Sequence, residues 1–512
     1  MKNVYLIFIL FFGLPVFSQG ENDNWYFGNK AAVNFSGTTP IALTNSAMSA
    51  PEACGSVSNS GGELLFYTDG MTIWDRSHSQ MPNGTGLTGT VNSSQVLIIQ
   101  DLVNKDRYYV FTTGDSYNNQ SYTAYSVVDM SLPGSGVGGA ILGDVVPSIK
   151  NVPILDNNGN LITTGAVTAV PHANGTDFWI LMPTHEDLLA FLFDSSGLNT
   201  VPVASNLSPW NTLNYRTFYV KASPKLYYPI GFDYIVGIGM GHTLKPETFL
   251  SFSFDNNSGI LLGWITGLTT ANYDRIYAEF NEDGTILYSA VYQFGNLELY
   301  KCDYLTNFSP IFISSIPNVD SGQLQRNKDG KVYFSMDGAG YLGQILNPNS
   351  FTGCIADFNN LFLNGQSSFR GLPQLLPEHP GCFNDIVLTS PENKNNYTYQ
   401  ANNSITTQTS YSITNKNIVM KAGDSITLLP DTEISFGSDY MALIEDCPLS
   451  KPAERYWTPP ANKQIYVIGE KIDKSDVISI YPNPVTDVLN IDSVNGLNVN
   501  EIKVMDITGK GV

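Results

Sequence analysis

The residues that could do chemistry are few and scattered. The chain has five histidines, His78, His172, His185, His242 and His379. None sits in an HExxH motif, and no two are close enough in sequence to read as a metal pair. There is no GxSxG turn to expose a nucleophilic serine and no GxxxxGK[ST] loop to cradle a phosphate. The five cysteines, Cys54, Cys302, Cys354, Cys382 and Cys447, contain no CxxC pair, and their odd number leaves at least one thiol unpaired. Catalysis would have to be assembled from distant loops, so each isolated histidine reads first as structural or exposed. No catalytic, cofactor-binding or metal residue is assigned.

Oxygen-rich turns are a second source of chemistry. Asp156-Asn157-Asn158-Gly159-Asn160 and Asn281-Glu282-Asp283-Gly284 cluster the kind of oxygens that Ca2+ takes. The alternating ligands of an EF-hand, ending in Glu, are absent, and turns favour Asn, Asp and Gly for backbone reasons alone. No cofactor is expected, with Ca2+ at an acidic turn the one alternative. Tyr117, Tyr122, Trp210, Tyr215 and Trp457 offer flat faces that could stack on sugars. The competing reading is that the aromatics fill the strands they sit in.

The elements that would position these residues are strands. A polar turn with Gly is followed by an alternating, aromatic-rich run at 59–70, 281–292 and 327–338. Partner strands read at 106–114, 176–184 and 232–240, with another turn-and-strand unit at 255–265. Gly284 and Gly330 recur at a spacing typical of one propeller blade, roughly 45 residues. The other intervals are irregular. No long amphipathic helix interrupts, so the fold class is all-β, and a six- or seven-bladed β-propeller over 22–385 accommodates the length. Residues 24–28 are expected to close the ring against 370–377. A polar linker (386–404), a small β-module of stacked rungs (405–447) and a Pro-rich linker (448–476) follow, before a terminal segment at 477–512.

The composition is globular and acidic. Of 512 residues, 42% are hydrophobic and 12% aromatic. Only 14% are charged, against about 25% in an average soluble protein. The net charge is −20, and no basic cluster occurs anywhere. That excludes nucleic acid as a partner and disfavours an anionic membrane surface. Lys2, the apolar run Val4 to Phe12 and Val16-Phe17-Ser18 make residues 1–18 a secretory signal peptide for the Sec translocon. No later stretch stays apolar for the roughly 18 residues that a membrane helix needs, so no transmembrane segment is expected in the mature chain. Export permits disulfides, whose pairing the sequence leaves open.

The last segment resembles the C-terminal sorting domain of type IX secretion cargo, found in the Bacteroidetes. Tyr481-Pro482-Asn483-Pro484 is similar to the opening box, and Leu489-Asn490-Ile491 to the first strand after it. Val504 to Lys510, with Asp506, Gly509 and Lys510, matches the apolar-x-Asp-x-x-Gly-basic turn that follows. The family domain continues with a Gly-x-Tyr strand and a basic strand, so this copy reads as incomplete. Lys421-Ala422-Gly423, Leu428-Leu429-Pro430 and Ile444-Glu445-Asp446-Cys447 resemble a short module found before such tails. Residues 25–36 and 55–84 look like the propeller-type region of large Bacteroidetes surface proteins, a kind linked with gliding or adhesion. Asp69-Gly70 with Trp74 resembles the Asp-box of sialidase-type propellers but lacks its spacing, and reads instead as a hairpin turn with a tryptophan packed between blades.

These readings converge on an exported protein, secreted or at the cell surface by way of the periplasm, that engages the type IX machinery. Binding is the expected role: adhesion to surface glycans or proteins, or scaffolding, at the central channel and loop face. One alternative is a secreted hydrolase acting on glycan or peptide from the propeller funnel, which ionisable residues converging there would favour. The other is a structural spacer, which an apolar plug would favour.

Overall fold

Tight Asn/Asp/Gly turns cut the chain into short antiparallel meanders, and burial of both faces of each meander stacks them into a ring. The computed structural model describes residues 20–444, short loops excepted, and the strands Ile465–Ile468, Ile478–Tyr481 and Asn490–Ser493. The described residues form seven propeller blades. Blade 1 holds Asn24–Asn29, Ala31–Asn34 and Ile41–Leu43. Blades 2 to 7 span 55–85, 96–153, 168–206, 216–270, 276–317 and 321–362. Each of these opens with its innermost strand: Gly55–Ser58, Val96–Gln100, Thr168–Pro171, Arg216–Ala222, Ile276–Phe280 and Ser321–Arg326.

The ring is closed by chain from its two ends. On the inner side of blade 1, Ser49–Ala50 pairs antiparallel with Asn24–Asn29, and the segment after blade 7 adds an antiparallel bridge between Asn29 and Ser367. The Asn29 amide donates to the Ser367 carbonyl at 2.9 Å, and the Arg370 amide donates to the Pro51 carbonyl at 3.0 Å. Asn22 Oδ1 accepts the Leu376 amide at 2.6 Å, and its Nδ2 donates to the Leu376 carbonyl at 3.3 Å. This pairing begins just outside the stretches expected to meet. It requires a close backbone approach, since a Cβ on Gly371 would lie 1.5 Å from the Glu52 carbonyl oxygen. Closure removes the exposed sheet edges that an open array would present.

Apolar layers fill the spaces between blades. Trp25, Phe27, Val33, Tyr333 and Leu342 pack together where blades 7 and 1 meet. Val57, Phe66, Val110 and Val128 join blades 2 and 3, while Phe111, Ile180 and Phe191 join 3 and 4. Trp74 stacks on Tyr67 at 5.5 Å and belongs to the layer of blade 1, as its sequence context suggested.

The turns reveal a repeat that irregular spacing hides. In blades 1 to 4 the third strand counted from the axis ends in Asn or Asp, followed two residues later by Ser. The side-chain oxygens of Asn34, Asp75, Asp129 and Asp194 accept the amides of Ser36, Ser77, Ser131 and Ser196 at 3.1, 2.8, 3.0 and 2.7 Å. Each also accepts the same serine's hydroxyl, at 2.5, 2.5, 2.5 and 2.6 Å. Asp255 in blade 5 captures the Asn257 amide at 3.0 Å in the same way. Such local caps satisfy the turn backbone without a ladder partner.

Beyond the propeller, Phe383–Leu388, Tyr397–Thr407, Asn417–Ala422 and Asp439–Ile444 pair in parallel. Tyr397 lies opposite Ile418, Ser404 opposite Ser425 and Ser412 opposite Glu433, one offset shared by the three strand pairs of a single rung. Ala401, Ile405, Ile413, Ile418 and Met420 fill the interior. The stretch 386–404, read from composition as a linker, thus contributes strands to the module. Its buried Ala401 is small, and the exposed Asn403 two residues on leaves no strong alternation to read. Val467–Val512 forms a separate unit, in which Ile478–Tyr481 and Asn490–Ser493 pair antiparallel with Ile480 opposite Ile491.

Candidate functional site

The innermost strands carry a run of polar residues toward the propeller axis, and they bond to one another. At the strand starts, Glu52 Oε1 accepts the hydroxyls of Ser94 at 2.6 Å and Tyr277 at 2.7 Å, joining three blades. Gln323 Nε2 donates to the Ser94 carbonyl at 2.6 Å, and its Oε1 accepts the Leu372 amide at 3.1 Å. One step along, Gln95 exchanges two hydrogen bonds with the Val220 backbone, at 2.8 and 2.9 Å. Gln374 of the closing segment donates to the carbonyls of Val167 at 2.7 Å and Val96 at 3.2 Å.

At the strand ends lies a buried ion pair. Lys221 Nζ stands 2.6 Å from Glu279 Oε2 and donates to Gln325 Oε1 at 2.9 Å. The Arg326 amide also donates to Glu279 Oε2, at 2.9 Å. Desolvation pulls the Lys221 ammonium below its ordinary range, and Glu279 opposes that pull. Burial, reinforced by Glu279 and Tyr277, drives the Tyr219 hydroxyl well above its usual value. Glu52, Ser94, Gln95, Lys221, Tyr277, Glu279, Gln323 and Gln325 are all buried.

Chemically, this arrangement is self-contained: donors meet acceptors and the charged pair neutralises itself. Satisfied buried networks rigidify and specify a packing, because leaving any member unpaired is costly. The space expected to hold ligand as a central channel is occupied by the protein's own amides, hydroxyls and ion pair. None of these axial residues was singled out from sequence. Gln and Ser at strand starts carry no local signal, and their partners lie up to 229 residues away.

The residues that were singled out are dispersed. His78 leans on Tyr26 and Tyr67, its Nδ1 3.3 Å from the Tyr67 hydroxyl, and desolvation lowers its pKa. His172 Nδ1 accepts the Asn174 amide at 3.0 Å while the ring faces Trp179. His185 is exposed beside Glu186. His242 ends a blade 5 strand, and His379 lies outside the described residues. The Asp156 carboxylate is taken up by Asn158 and Asn160 amides, both at 2.8 Å, and Asp283 by Thr285 at 3.0 Å. Asp69 Oδ1 accepts the Met71 and Thr72 amides at 2.9 and 2.7 Å, a hairpin turn. Among the described residues, no group of three or more His, Cys, Asp or Glu is placed to hold a metal ion.

Of the aromatics considered for sugar stacking, Tyr122 is half-buried. Tyr117, Trp210, Tyr215 and Trp457 lie outside the described residues. Cys54, Cys302 and Cys354 are free and buried, and Cys382 and Cys447 lie outside the description. Apolar side chains reach the surface instead on the outermost strands of blades 6 and 7. Ile311 and Phe312 on Asn307–Pro317 and Ile355 and Phe362 on Ile355–Phe362 are exposed, and these two strands adjoin.

Of the sorting residues, Tyr481 and Ile491 lie on the two paired terminal strands. Pro482, Asn483, Pro484, Leu489, Asp506, Gly509 and Lys510 lie outside the described residues. Residues 479–512 match the family model of the secretion system C-terminal sorting domain. No curated protein matches the chain. Among solved structures, a candidate 6-phosphogluconolactonase from Bacteroides fragilis is 10% identical, with a TM-score of 0.39 over 68% of this chain and 96% of that one. A Lactobacillus plantarum protein gives 10%, 0.39, 69% and 98% in the same order. An exo-beta-1,3-galactanase from Phanerochaete chrysosporium gives 6%, 0.29, 50% and 57%. Among the described residues no helix is long and apolar enough to cross a membrane. The chain is thus a type IX secretion cargo protein, a seven-bladed β-propeller with a sorting domain that directs it to the cell surface or out of the cell.

Proposed function

We propose that this cargo is a binding or scaffolding protein that meets its partner on the rim of the propeller. The observation that carries this reading is the exposure of Ile311, Phe312, Ile355 and Phe362 along two adjoining outer strands. Apolar side chains exposed on neighbouring strands offer surface of the kind that interaction sites on soluble proteins use. The axis, by contrast, spends its polar groups on internal bonds, which weakens a funnel hydrolase. It is polar rather than apolar, which weakens a plain spacer. Residues 1–18 deliver the chain to the Sec translocon, the tail engages the type IX machinery, and adhesion to a surface protein or glycan of a Bacteroidetes cell is the role that follows.

The test is retention of the purified, exported protein on cell envelopes, comparing wild type with Phe312→Ser/Phe362→Ser. The double variant is expected to be exported and folded but to bind at least tenfold more weakly. Equal binding by the two proteins would remove the rim as the site. Turnover of glycan or peptide substrates by the wild type would install the hydrolase reading in its place.

A further inference from the structure

Blades 6 and 7 meet through a buried amine and a buried thiol. Lys301 lies on the third strand of blade 6, Asn296–Asp303. Cys354 lies in the connection between Tyr341–Leu346 and Ile355–Phe362 of blade 7. Lys301 Nζ donates to Cys354 Sγ at 3.3 Å and to the Phe351 carbonyl, and it sits over the Phe351 ring at 4.8 Å. The Tyr288 hydroxyl, which donates to the Pro348 carbonyl at 2.8 Å, lies beside the same sulfur. Both residues are nine-tenths buried, at 9% and 8% exposure, so their relative position is set by packing.

The surroundings make this pair distinctive. Among the described residues, no carboxylate forms an ion pair with Lys301, so the sulfur, a carbonyl and an aromatic face are its company. Cys54 and Cys302 are also buried free thiols, but no lysine stands at hydrogen-bonding distance from either among the described residues. The loop carrying Cys354 is open to solvent on both sides of it, at Gly353 and Ile355. A small oxidant therefore has a short path to the sulfur. An exported protein also leaves the reducing cytosol.

We propose that Lys301 and Cys354 form an oxidative covalent link between blades 6 and 7. Hydrogen peroxide oxidises the thiol first: the Cys354 S–H gives S–OH, and the peroxide is reduced to water. The Lys301 ammonium gives one proton to solvent, and the amine then attacks the sulfur. The S–O bond breaks, an S–N bond forms, and the hydroxyl leaves as water with one amine proton. The net change is a two-electron oxidation of sulfur to a sulfenamide, with one peroxide consumed and two waters formed. Condensation of a sulfenic acid with a nearby nitrogen is established thiol chemistry, and thiols reverse it. Here the fold supplies the nitrogen.

The experiment uses the full exported chain, purified under reducing conditions and titrated with hydrogen peroxide while folded. After digestion, the expected product joins the peptides of Lys301 and Cys354, about 2 Da lighter than their sum. It should disappear with dithiothreitol and be absent from Cys354→Ser and Lys301→Arg. Wild type oxidised after unfolding in guanidinium should also lack it. That control removes the geometry without any substitution, so the proposal remains testable even if a variant fails to fold. Recovery from the folded protein of Cys354 only as thiol, sulfinic or sulfonic acid, with Lys301 unmodified, would overturn the proposal. So would an equal yield of link from unfolded chains.

Discussion

Gln95 of blade 3 and Val220 of blade 5 hold each other past the intervening blade: Nε2 donates to the Val220 carbonyl at 2.8 Å, and Oε1 accepts the Val220 amide at 2.9 Å. One side chain thereby replaces a strand ladder for a backbone unit at the centre of the ring. Gln95→Met keeps the volume but strands both backbone groups away from water. Leaving each unpaired costs about 1–3 kcal/mol. Urea unfolding of wild type and variant should show a loss of roughly 2–6 kcal/mol. A loss below about 0.5 kcal/mol, the range of neutral surface substitutions, would mean that the axis is not a stabilising network.

Gly371 and Glu52 set the closure of the ring. A Cβ on residue 371 would fall 1.5 Å from the Glu52 carbonyl oxygen, and backbone on both sides has little freedom to retreat. Gly371→Ala should therefore displace the closing segment and cost on the order of 3 kcal/mol, the upper end for overpacking. Limited proteolysis should cut the variant near 366–376 at protease concentrations that leave wild type intact. An alanine variant as resistant as wild type would contradict the close approach.

The serine-capped turns predict acid sensitivity. At Asp129, burial raises the carboxyl pKa, but hydrogen bonds from Ser131 and Arg107 outweigh it and hold the group below its ordinary range. At Asp194 the Ser196 hydroxyl and amide do the same. A group depressed in the folded state stabilises fully above its unfolded pKa, about 4, and loses that contribution as pH falls through the folded value. Stability should thus drop below about pH 4. Ser131→Ala and Ser196→Ala should each be less stable near neutral pH and show a shallower acid decline. Parallel wild-type and variant melting curves from pH 2 to 7 would refute the assignment.

The tail decides where the chain goes. Deleting residues 477–512 should leave the propeller folded and retain it in the periplasm, measured by fractionation and surface proteolysis. Undiminished arrival at the surface or in the medium without that segment would show that another part of the chain carries the address.

Much of the fold was legible locally. Asn281 to Gly284 and Asn327 to Gly330 make turns because Asn side chains cap nearby amides and Gly accepts positive φ, here 72° at Gly284 and 76° at Gly330. Those properties travel with the residues, so the strands beside them could be read off. The serine-capped repeat was not, because blades of unequal length separate Asp75, Asp129 and Asp194 irregularly. The parallel module showed only its later rungs, since Ala401 and Ile405 are too sparse an inward pattern among polar neighbours.

What the sequence determined alone is therefore what depends on near neighbours: turn positions, alternation, the all-β class and the sorting boxes of the tail. The tertiary structure decided which distant strands share a centre. It brought Glu52 to Tyr277, Lys221 to Glu279 and Lys301 to Cys354, contacts that exist only after the ring closes. It also turned the axis from an expected channel into a packed polar core. Buried polar groups must find partners wherever the fold leaves them, and their reach across the ring has no counterpart in sequence spacing.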